Sequence, residues 1–359
     1  MTKSFKSKKV LVTGHTGFKG SWLTLWLNML GAKVVGVALD PEQIYGAFNA
    51  MNIKSMCYDI RQDINDLNQV KKIFTKHQPE IVFHLAAQPL VLDSYQKPIE
   101  TFQTNTIGTA NILEACRNTQ SVKTIVIITT DKCYENRETL KGYAETDRLG
   151  GKDPYSASKA AAEIVVNSYR ESFFNENHTI GLATARAGNV IGGGDWAANR
   201  ILPDCVRSLI EKKPIEVRNP NAVRPWQHVL EPLGGYLLLA SKLMQESQKF
   251  SEPWNFGPEE ESVKTVEELV YKVIKVWGSG TIKVNHPIIQ SSNHLKEAKL
   301  LTLNIDKADF KLNWKPVLSF NQSITQSVSW YKAQANGENM TDFSKNQIKK
   351  YQRLLKVDI

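Results

Sequence analysis

The sequence lacks the features that mark membrane, disulfide-stabilised and metal-binding proteins. No run of about eighteen uncharged apolar residues occurs, so we predict no membrane-spanning helix. The seven histidines form no His-Glu-x-x-His motif, so we expect no bound metal. No apolar signal-peptide core precedes the first strand pattern, so we expect a cytoplasmic protein. The four cysteines form no Cys-x-x-Cys pair and are interpreted as reduced thiols: Cys57, Cys116, Cys133 and Cys205.

Acidic residues are in the minority, and the formal net charge is +9. Such a charge occurs in proteins that bind nucleic acids, membrane surfaces or anionic small molecules. The basic residues are spread along the 359-residue chain, and the one local excess, at 345–356, is typical of a solvated helix face. We therefore expect an anionic small-molecule substrate and no nucleic-acid or membrane partner.

A glycine-rich loop lies in a strand–helix–strand context near the start of the chain. Residues 8–13 form an aliphatic strand pattern, 21–30 a helix with a broad apolar face, and 33–40 a second strand. In such a βαβ unit the loop amides and the helix N-terminus bind a pyrophosphate. Asp40 is predicted to bind both hydroxyls of the adenosine ribose and to repel a 2′-phosphate, which favours NAD over NADP. A strand-end turn carboxylate is the alternative for Asp40.

Strand and helix patterns alternate through the first half of the chain, which predicts an α/β fold with a Rossmann-type doubly wound parallel sheet. From residue 191 the pattern becomes turn-rich and aromatic. We predict an NAD-binding Rossmann domain over 1–190, to which elements at about 225–257 return, and a smaller C-terminal substrate-binding lobe over 191–359. The further predicted elements are strands at 80–87, 123–130 and 179–186 and helices at 98–119 and 153–174.

Tyr155 and Lys159 stand four residues apart at the start of a predicted helix, so their side chains share one face. An ammonium near a phenol favours the phenolate and lowers the tyrosine pKa. Tyr155 is therefore predicted to accept an alcohol proton while hydride leaves the same carbon for NAD+. Lys159 is predicted to hold the nicotinamide ribose. An ordinary amphipathic helix pair has the same spacing, but the glycine loop and the preceding strand that ends at Thr129 and Thr130 favour the catalytic interpretation.

These motifs resemble the extended short-chain dehydrogenase/reductase family, over about residues 8–330. The resemblance lies in the glycine triplet, His84-Leu85-Ala86-Ala87, Asn105, Thr129 and Thr130, Tyr155-x-x-x-Lys159 and Arg186-Ala187-Gly188-Asn189-Val190. Within the family, Thr130-Asp131-Lys132 is similar to the Thr-Asp-Glu motif of the sugar-nucleotide 4,6-dehydratases. Lysine in place of glutamate resembles the subgroup that acts on CDP-glucose, as do the segments at 14–23, 191–196, 224–228 and 254–258.

The resemblance implies oxidation of the hexose at C4, elimination of water across C5 and C6, and return of hydride to C6. It makes Tyr155 the base at the C4 hydroxyl, Thr130 a donor to the C4 oxygen and Asp131 the acid at the C6 oxygen. Lys132 stands where the family has the C5 base; it is either a neutral base or a cation that stabilises the enolate while Asp131 takes more of the proton work. A 4-epimerase of the same family and a non-catalytic dinucleotide-binding protein are the alternative functions.

The resemblance also implies which residues bind the two ligands. The expected NAD contacts besides Asp40 are Gly14, Thr16, Gly17, Phe18, Lys19, Gly20, Asp59, Ile60, Leu85, Ala86, Ala87, Thr104, Thr129, Tyr155 and Lys159. The expected contacts of the sugar nucleotide are Gln88 at the sugar and Asn189, Arg200 and Arg224 at the diphosphate. A structural ion pair is the alternative for each of the three diphosphate residues.

Three further implications concern assembly, packing and pathway. The helices at 98–119 and 153–174 resemble those that pair in family dimers, so we expect a homodimer. Trp196, Trp226 and Trp254 are expected either to wall the nucleotide pocket or to pack. Arg61 is expected to lie near the adenine or in a surface ion pair. The product would supply dideoxysugars for a bacterial surface polysaccharide such as the lipopolysaccharide O-antigen.

Overall fold

The computed structural model describes residues 4–138, 141–175, 179–284 and 301–355. The strands are β1 (Lys9–Thr13), β2 (Lys33–Ala38), β3 (Tyr58–Arg61), β4 (Ile81–His84), β5 (Thr124–Ile128), β6 (Gly181–Ala187), β7 (Val190–Ile191), β8 (Ile215–Val217), β9 (Val223–Pro225), β10 (Gln227–His228), β11 (Pro253–Phe256), β12 (Val263–Thr265) and β13 (Ile282–Val284). The α-helices are α1 (Phe18–Met29), α2 (Ala47–Ala50), α3 (Leu67–His77), α4 (Val91–Gln96), α5 (Pro98–Phe102), α6 (Gly108–Arg117), α7 (Pro154–Phe173), α8 (Ile201–Ile210), α9 (Leu230–Gln245), α10 (Ser247–Phe250), α11 (Val266–Trp277), α12 (Asp306–Leu312), α13 (Phe320–Ala335) and α14 (Met340–Leu354).

A parallel sheet of seven strands forms the centre of the described part of the chain. Its order is β11-β6-β5-β4-β1-β2-β3, and every neighbouring pair in it is parallel. The chain order reverses between β1 and β4, where crossovers to opposite faces open a crevice at the carboxyl edge. The aliphatic interiors of β1, β4, β5 and β6 are buried, as expected for a sheet covered on both faces. The predicted Rossmann-type α/β fold is confirmed.

Several predicted elements have different boundaries in the structure. The strand predicted over 80–87 ends at His84: the Leu85 amide is shared between the carbonyl and the side chain of Thr13, and the Ala86 amide donates to the Thr13 side chain alone. The helix predicted over 98–119 is α5, a π-helical segment over Gln103–Ile107 and α6 in succession. The π segment, with its i→i+5 hydrogen bonds, keeps α5 and α6 in one continuous helical stretch. It also rotates the side chains of α6 about the helix axis relative to those of α5.

Later parts of the chain complete the sheet and its cover. β11, within the predicted returning range, pairs with β6, where Trp254 lies opposite Ala185. The buried helix α9 packs against β5 and β6. α14 packs against α1 through the edge-to-face contact of Tyr351 with Trp26. None of the described helices is long and apolar enough to cross a membrane.

Candidate active site

The glycine loop makes a tight turn between β1 and α1. Gly14 has a φ of +73°, and a Cβ atom there would lie 2.7 Å from the backbone nitrogen of Ala86. A Cβ on Gly20 would lie 2.1 Å from the carbonyl oxygen of Gly14. Helix α1 begins directly after Gly17, whose backbone is extended. The loop therefore accepts no larger residue at its first and third glycines, and the amides at the start of α1 are arranged as a dinucleotide pyrophosphate requires.

A charged network lies at the adenosine end of this loop. Arg61 contacts two carboxylates, with Nε 3.0 Å from Asp40 Oδ1 and Nη1 2.7 Å from Asp59 Oδ1. His15 Nε2 lies 2.8 Å from the same Asp59 oxygen. Burial lowers the pKa of His15, and the hydrogen bond to Asp59 acts in the opposite direction. Asp40 is 89% exposed, so its carboxylate remains open to a ribose hydroxyl. Arg61 adopts the ion-pair alternative.

Other predicted cofactor residues border the loop. The Thr16 hydroxyl donates to the carbonyl of Leu39 at 3.1 Å. The ring of Phe18 lies so close to Gly192 that a Cβ there would meet its Cζ at 2.9 Å. Ile60 is partly buried on the edge strand β3. The first of these contacts fixes the loop against the end of β2, and the second joins it to the segment after β7.

The residues after β4 form the opposite wall. The amides of Leu85 and Ala86 both donate to the Thr13 hydroxyl at 3.1 Å, and that hydroxyl lies 2.7 Å from His84 Nδ1. Because the Thr13 oxygen already accepts two bonds, its own hydrogen is directed to His84. Ala86 and the neighbouring Ala87 are partly buried. The wall is thus held against the start of the glycine loop, as the cofactor contact requires.

Two predicted cofactor threonines have their hydroxyls engaged within the protein. Thr104 Oγ1 accepts from the amide of Asn65 at 3.5 Å. The Thr129 hydroxyl donates to Glu163, and both side chains are buried. The Thr129 hydroxyl hydrogen is therefore bonded to Glu163 inside the protein. The sequence pattern did not indicate this partner.

The candidate acid and base residues lie in a turn that follows β5. Thr130 caps a short 3₁₀ segment, Asp131–Cys133. Asp131 is buried, and its Oδ1 accepts from the Thr130 hydroxyl at 3.0 Å and from Lys132 Nζ at 3.5 Å. A Cβ on Gly188 would lie 2.8 Å from the other Asp131 oxygen, so glycine leaves room for the carboxylate. Lys132 is 32% exposed and can reach a ligand in the crevice.

Tyr155 and Lys159 lie buried on the first two turns of α7. Burial raises the pKa of Tyr155, while Lys132 and a hydrogen bond with Thr130 lower it. The expected lowering of the Tyr155 pKa was wrong, because burial outweighs the neighbouring cations and raises this pKa above its ordinary value; Lys132 acts most strongly against that rise. Lys159 Nζ instead donates to the carbonyl of Ile128 at 3.3 Å. Burial lowers the pKa of Lys159 to about 8, against the effect of Glu163.

Two more cations border this cluster. Burial lowers the pKa of Lys19 to about 7; Arg200 and Lys159 also lower it, and Asp131 raises it. Arg200 Nη1 pairs with Asp195 Oδ2 at 2.8 Å; burial lowers the pKa of Arg200, but Asp195 and, to a lesser extent, Tyr155 outweigh it and raise this pKa. The predicted diphosphate residue Arg200 and the predicted cofactor residue Lys19 are thus brought together beside the catalytic residues. An anionic ligand would relieve the repulsion among these cations.

The other predicted substrate residues are less open. The side-chain Nε2 of Gln88 donates to the carbonyl of Leu90 and to the hydroxyl of Thr101, both at 3.0 Å. Its side-chain oxygen accepts from the backbone amide of Leu90. The structure therefore uses Gln88 to shape the segment after β4. The Asn189 carbonyl accepts from a β10 amide at 3.2 Å, between β6 and β7. Arg224, on β9, donates to the carbonyl of Val223 at 2.9 Å.

The three tryptophans differ in exposure. Trp226 and Trp254 are buried, and their indole N–H groups donate to backbone carbonyls. Both are packing residues. Trp196 is partly buried, contacts Tyr331 edge to face and donates to Gln334 at 3.3 Å.

Sequence reasoning missed two sets of buried polar residues behind the site. Glu163 lies four residues beyond Lys159, the spacing that places two helical side chains on one face, and this spacing could have indicated it. The second set is a hydrogen-bonded series that joins the glycine loop to the Tyr155 carbonyl. Its members are Thr13, His84, Thr109, Asn105 and Ser158.

Comparison with known proteins identifies similar sequences and folds. A family model described as GDP-mannose 4,6 dehydratase matches residues 11–327. The chain is 46% identical over 351 residues to a CDP-glucose 4,6-dehydratase of Salmonella typhimurium, covering 97% of each protein. It is 26% identical over 359 residues to a dTDP-glucose 4,6-dehydratase of Shigella flexneri, covering 91% of this chain and 94% of that one.

Solved structures match the fold. A UDP-glucose 4-epimerase of Thermotoga maritima, crystallised with UDP-glucose, has a TM-score of 0.77 at 22% identity, covering 91% of this chain and 99% of that one. A dTDP-glucose 4,6-dehydratase of Bacillus anthracis in complex with NAD has a TM-score of 0.75 at 21% identity, covering 92% and 99%. Because dehydratase and epimerase match equally well, the fold alone does not distinguish the two reactions.

Proposed function

The chain belongs to the GDP-mannose 4,6-dehydratase family, and from this membership we propose that it is a CDP-D-glucose 4,6-dehydratase that uses NAD. The product would be CDP-4-dehydro-6-deoxy-D-glucose. The proposal of cytidine and glucose rests on the relative that is 46% identical over 97% of the chain. The observation that carries the reaction type is the turn Thr130-Asp131-Lys132, which lies against Tyr155 at the carboxyl edge of the sheet.

The glycine loop fits a dinucleotide. It has space for no side chain at Gly14 or Gly20, and the exposed carboxylate of Asp40 lies at the end of β2. When bound, NAD+ would take hydride from C4 of the hexose and later deliver it to C6. Lys159 would donate hydrogen bonds to the nicotinamide ribose, and Asp40 would accept them from the adenosine ribose.

Tyr155 would accept the proton of the C4 hydroxyl. Burial raises the pKa of Tyr155 above its ordinary value, and the ammonium of Lys132 and a hydrogen bond with Thr130 offset part of that rise. The Thr130 hydroxyl, which donates its one hydrogen to Asp131 in this structure, would turn to the developing C4 oxygen when the sugar is bound. The turn Thr130-Asp131-Lys132 thus acts on the general base, Tyr155, and also supplies the acid and base of the elimination.

Asp131 and Lys132 would carry out the elimination. Lys132 would first pass its proton to Asp131. The neutral amine would then take the proton from C5 while the carboxyl group delivers its proton to the leaving C6 oxygen, so the net charge of the pair does not change. The 3.5 Å contact between Lys132 Nζ and Asp131 Oδ1 supports this shared role. We assign the acid to Asp131 and the base to Lys132.

An isotope experiment tests the proposed function. The protein is incubated with NAD and CDP-glucose deuterated at C4, and the product is examined by NMR. We expect a 4-keto sugar with deuterium at C6, because the hydride stays within the active site. Deuterium on an inverted C4 would show a 4-epimerase instead, and no turnover of any sugar nucleotide would favour a non-catalytic protein.

We also propose a homodimer formed through α5–α7. Apolar side chains on these helices and the π segment are exposed, with Ile99 79%, Ile107 47% and Ile164 60% accessible. Light scattering should give the mass of a dimer for the wild type and of a monomer for Ile99→Arg/Ile164→Arg. Phe310→Arg, at an exposed apolar residue on α12, is the matched control and should stay dimeric. A wild-type monomer would contradict the proposal.

Two finer points belong to the same proposal. The four cysteines are free, which supports a reducing, cytoplasmic location. A 4-keto-6-deoxy sugar nucleotide is a precursor for deoxysugars, which supports a role in the synthesis of a bacterial surface polysaccharide.

A further inference from the structure

We propose that Glu163 is a positioning residue of the active site, whose buried carboxylate fixes α7 against β5 and β6 and keeps Lys159 in its charged form. The inference rests on the proposed function in so far as it makes Lys159 the residue that holds the nicotinamide ribose. The carboxylate is buried behind the crevice and accepts hydrogen bonds from protein side chains. It would act through Lys159 and through the strand end that carries Thr130.

The contacts of Glu163 reach both strands beneath α7. One carboxylate oxygen accepts from Thr129, the last residue before Thr130. The other accepts from the Thr184 hydroxyl and from Arg186 Nη2, both at 2.8 Å. The Arg186 and Glu163 side chains are each only 3% exposed. One buried group thus ties the helix of the general base to the strand that leads into the acid–base turn.

A buried carboxylate of this kind needs its partners. Burial raises the pKa of Glu163, and the ion pair with Arg186 and the threonine hydrogen bonds outweigh that effect, so the carboxylate stays ionised. Removing one partner of a buried pair leaves an uncompensated charge, whereas removing both is often tolerated. The pair is therefore a fixed negative charge one helical turn from Lys159.

Lys159 is surrounded by groups that act on its charge. Burial favours its neutral form, and it faces Lys19 on α1 and His84 on β4, whose pKa values it lowers. Glu163, on its own helix, acts in the opposite direction, and the buried thiol of Cys133, in the turn after β5, also faces Lys159. Tyr155 lies one turn before it on α7. Glu163 is the only carboxylate among the groups that act on Lys159 in the described part of the chain. Removal of the Glu163 charge should therefore lower the pKa of Lys159.

The test is the titration of Lys159 itself, which does not depend on turnover. The protein is labelled with ¹³Cε-lysine, the Lys159 signal is identified by its absence in Lys159→Arg, and its midpoint is followed by NMR. In Glu163→Gln we expect the midpoint to fall by about one pH unit. As the pH rises, NAD affinity measured by calorimetry should then begin to weaken about one pH unit earlier in this variant than in the wild type.

Three variants separate charge from packing. Glu163→Asp keeps the charge and should retain the wild-type Lys159 midpoint, even where its shorter reach lowers thermal stability. Thr184→Val removes one hydroxyl from Glu163 but no charge, and it should leave the midpoint unchanged. If Glu163→Gln alone does not fold, Glu163→Gln/Arg186→Gln removes both members of the pair and should still lower the midpoint.

A folded Gln variant with the wild-type midpoint would overturn this inference. An enzyme that makes no keto sugar, but whose Lys159 midpoint falls in Glu163→Gln, would instead count against the proposed function alone. The two failures are therefore distinguishable.

Discussion

The two ends of the glycine loop hold charged networks of similar composition and different burial. At the adenosine end, Arg61 links Asp40, which is 89% exposed, to Asp59. At the catalytic end, Asp131 is buried and Lys132 is about one-third exposed. Charges in water are screened, whereas a buried charge retains the effect of each neighbour. The buried Asp131 can therefore tune proton transfer, whereas the exposed Asp40 can only select and orient a ligand.

Two histidines, both buried, differ between the ends in their partners. His15, at the adenosine end, is bonded to a carboxylate that opposes the effect of burial on its pKa. His84, behind the catalytic end, lies between the hydroxyls of Thr13 and Thr109, and burial lowers its pKa to about 3. With Thr13 donating to Nδ1, His84 carries its hydrogen on Nε2 and donates it to Thr109. A neutral histidine of fixed tautomer thus holds the wall behind the site.

The largest effect is expected where the catalytic network meets the substrate, at Tyr155→Phe. The variant keeps the ring and its packing but cannot accept the C4 proton, so we expect kcat to fall about 10³-fold. The measurement is the rate of 4-keto sugar formation under saturating substrate, with CDP-glucose affinity as the control. A loss of less than tenfold would show that Tyr155 is not the base.

Lys132→Met should separate the two halves of the reaction. Because Lys132 is the amine next to Asp131, we expect elimination to slow about 10²-fold or more, while CDP-glucose binding stays within about threefold of wild type. Lys132 also lowers the pKa of Tyr155, so the oxidation step should require a higher pH in this variant. Single-turnover absorbance of the reduced cofactor measures the first step, and keto sugar formation measures both. Wild-type turnover would refute the catalytic role.

The geometry of the adenosine end follows more directly from the local sequence than that of the catalytic end. The glycine spacing and Asp40 follow from one local βαβ unit, so the local pattern contains their geometry. The direction of the Tyr155 pKa did not follow from the Tyr-x-x-x-Lys spacing, because burial and Lys132 determine it. Lys132 comes from another element, 23 positions away along the printed sequence.

The same reasoning explains the residues that were missed. Glu163 acquires its role from Thr129, Thr184 and Arg186, which are brought to it by the stacking of α7 on two strands. Gln88 was predicted to touch the sugar, and the structure bonds its amide to Thr101, on a helix that the local pattern around Gln88 does not include. Alternation of apolar residues specifies the sheet, but it does not specify which buried polar groups pair beneath it.

A smaller effect is expected from acid. The pKa of His84 is about 3 in the folded protein and near 6.5 when unfolded, so below pH 6.5 the unfolded state binds a proton that the folded state does not. This histidine should therefore reduce the free energy of unfolding by about 1.4 kcal/mol per pH unit as the pH falls from about 6.5 towards 3. When urea unfolding is measured at pH 7.5 and 5.5, the free energy of unfolding should fall less between the two pH values in His84→Gln than in the wild type. An equal fall in the free energy of unfolding in the two proteins would contradict a buried, neutral His84.

The smallest effect is expected at the exposed carboxylate. Asp40 pairs with Arg61 at 3.0 Å, but an ion pair this exposed contributes less than about 1 kcal/mol, so Asp40→Ala should leave stability nearly unchanged. We expect NAD to bind several-fold more weakly and CDP-glucose to bind as before, because only the ribose loses its acceptor. The freed Arg61 should at the same time improve the binding of NADP relative to NAD. Calorimetric titrations of the three ligands measure these changes, with Asp63→Ala, in the loop after β3, as the control. An equal loss of NAD and CDP-glucose affinity would count against the ribose assignment and would mean that this carboxylate, despite its exposure, supports the whole crevice.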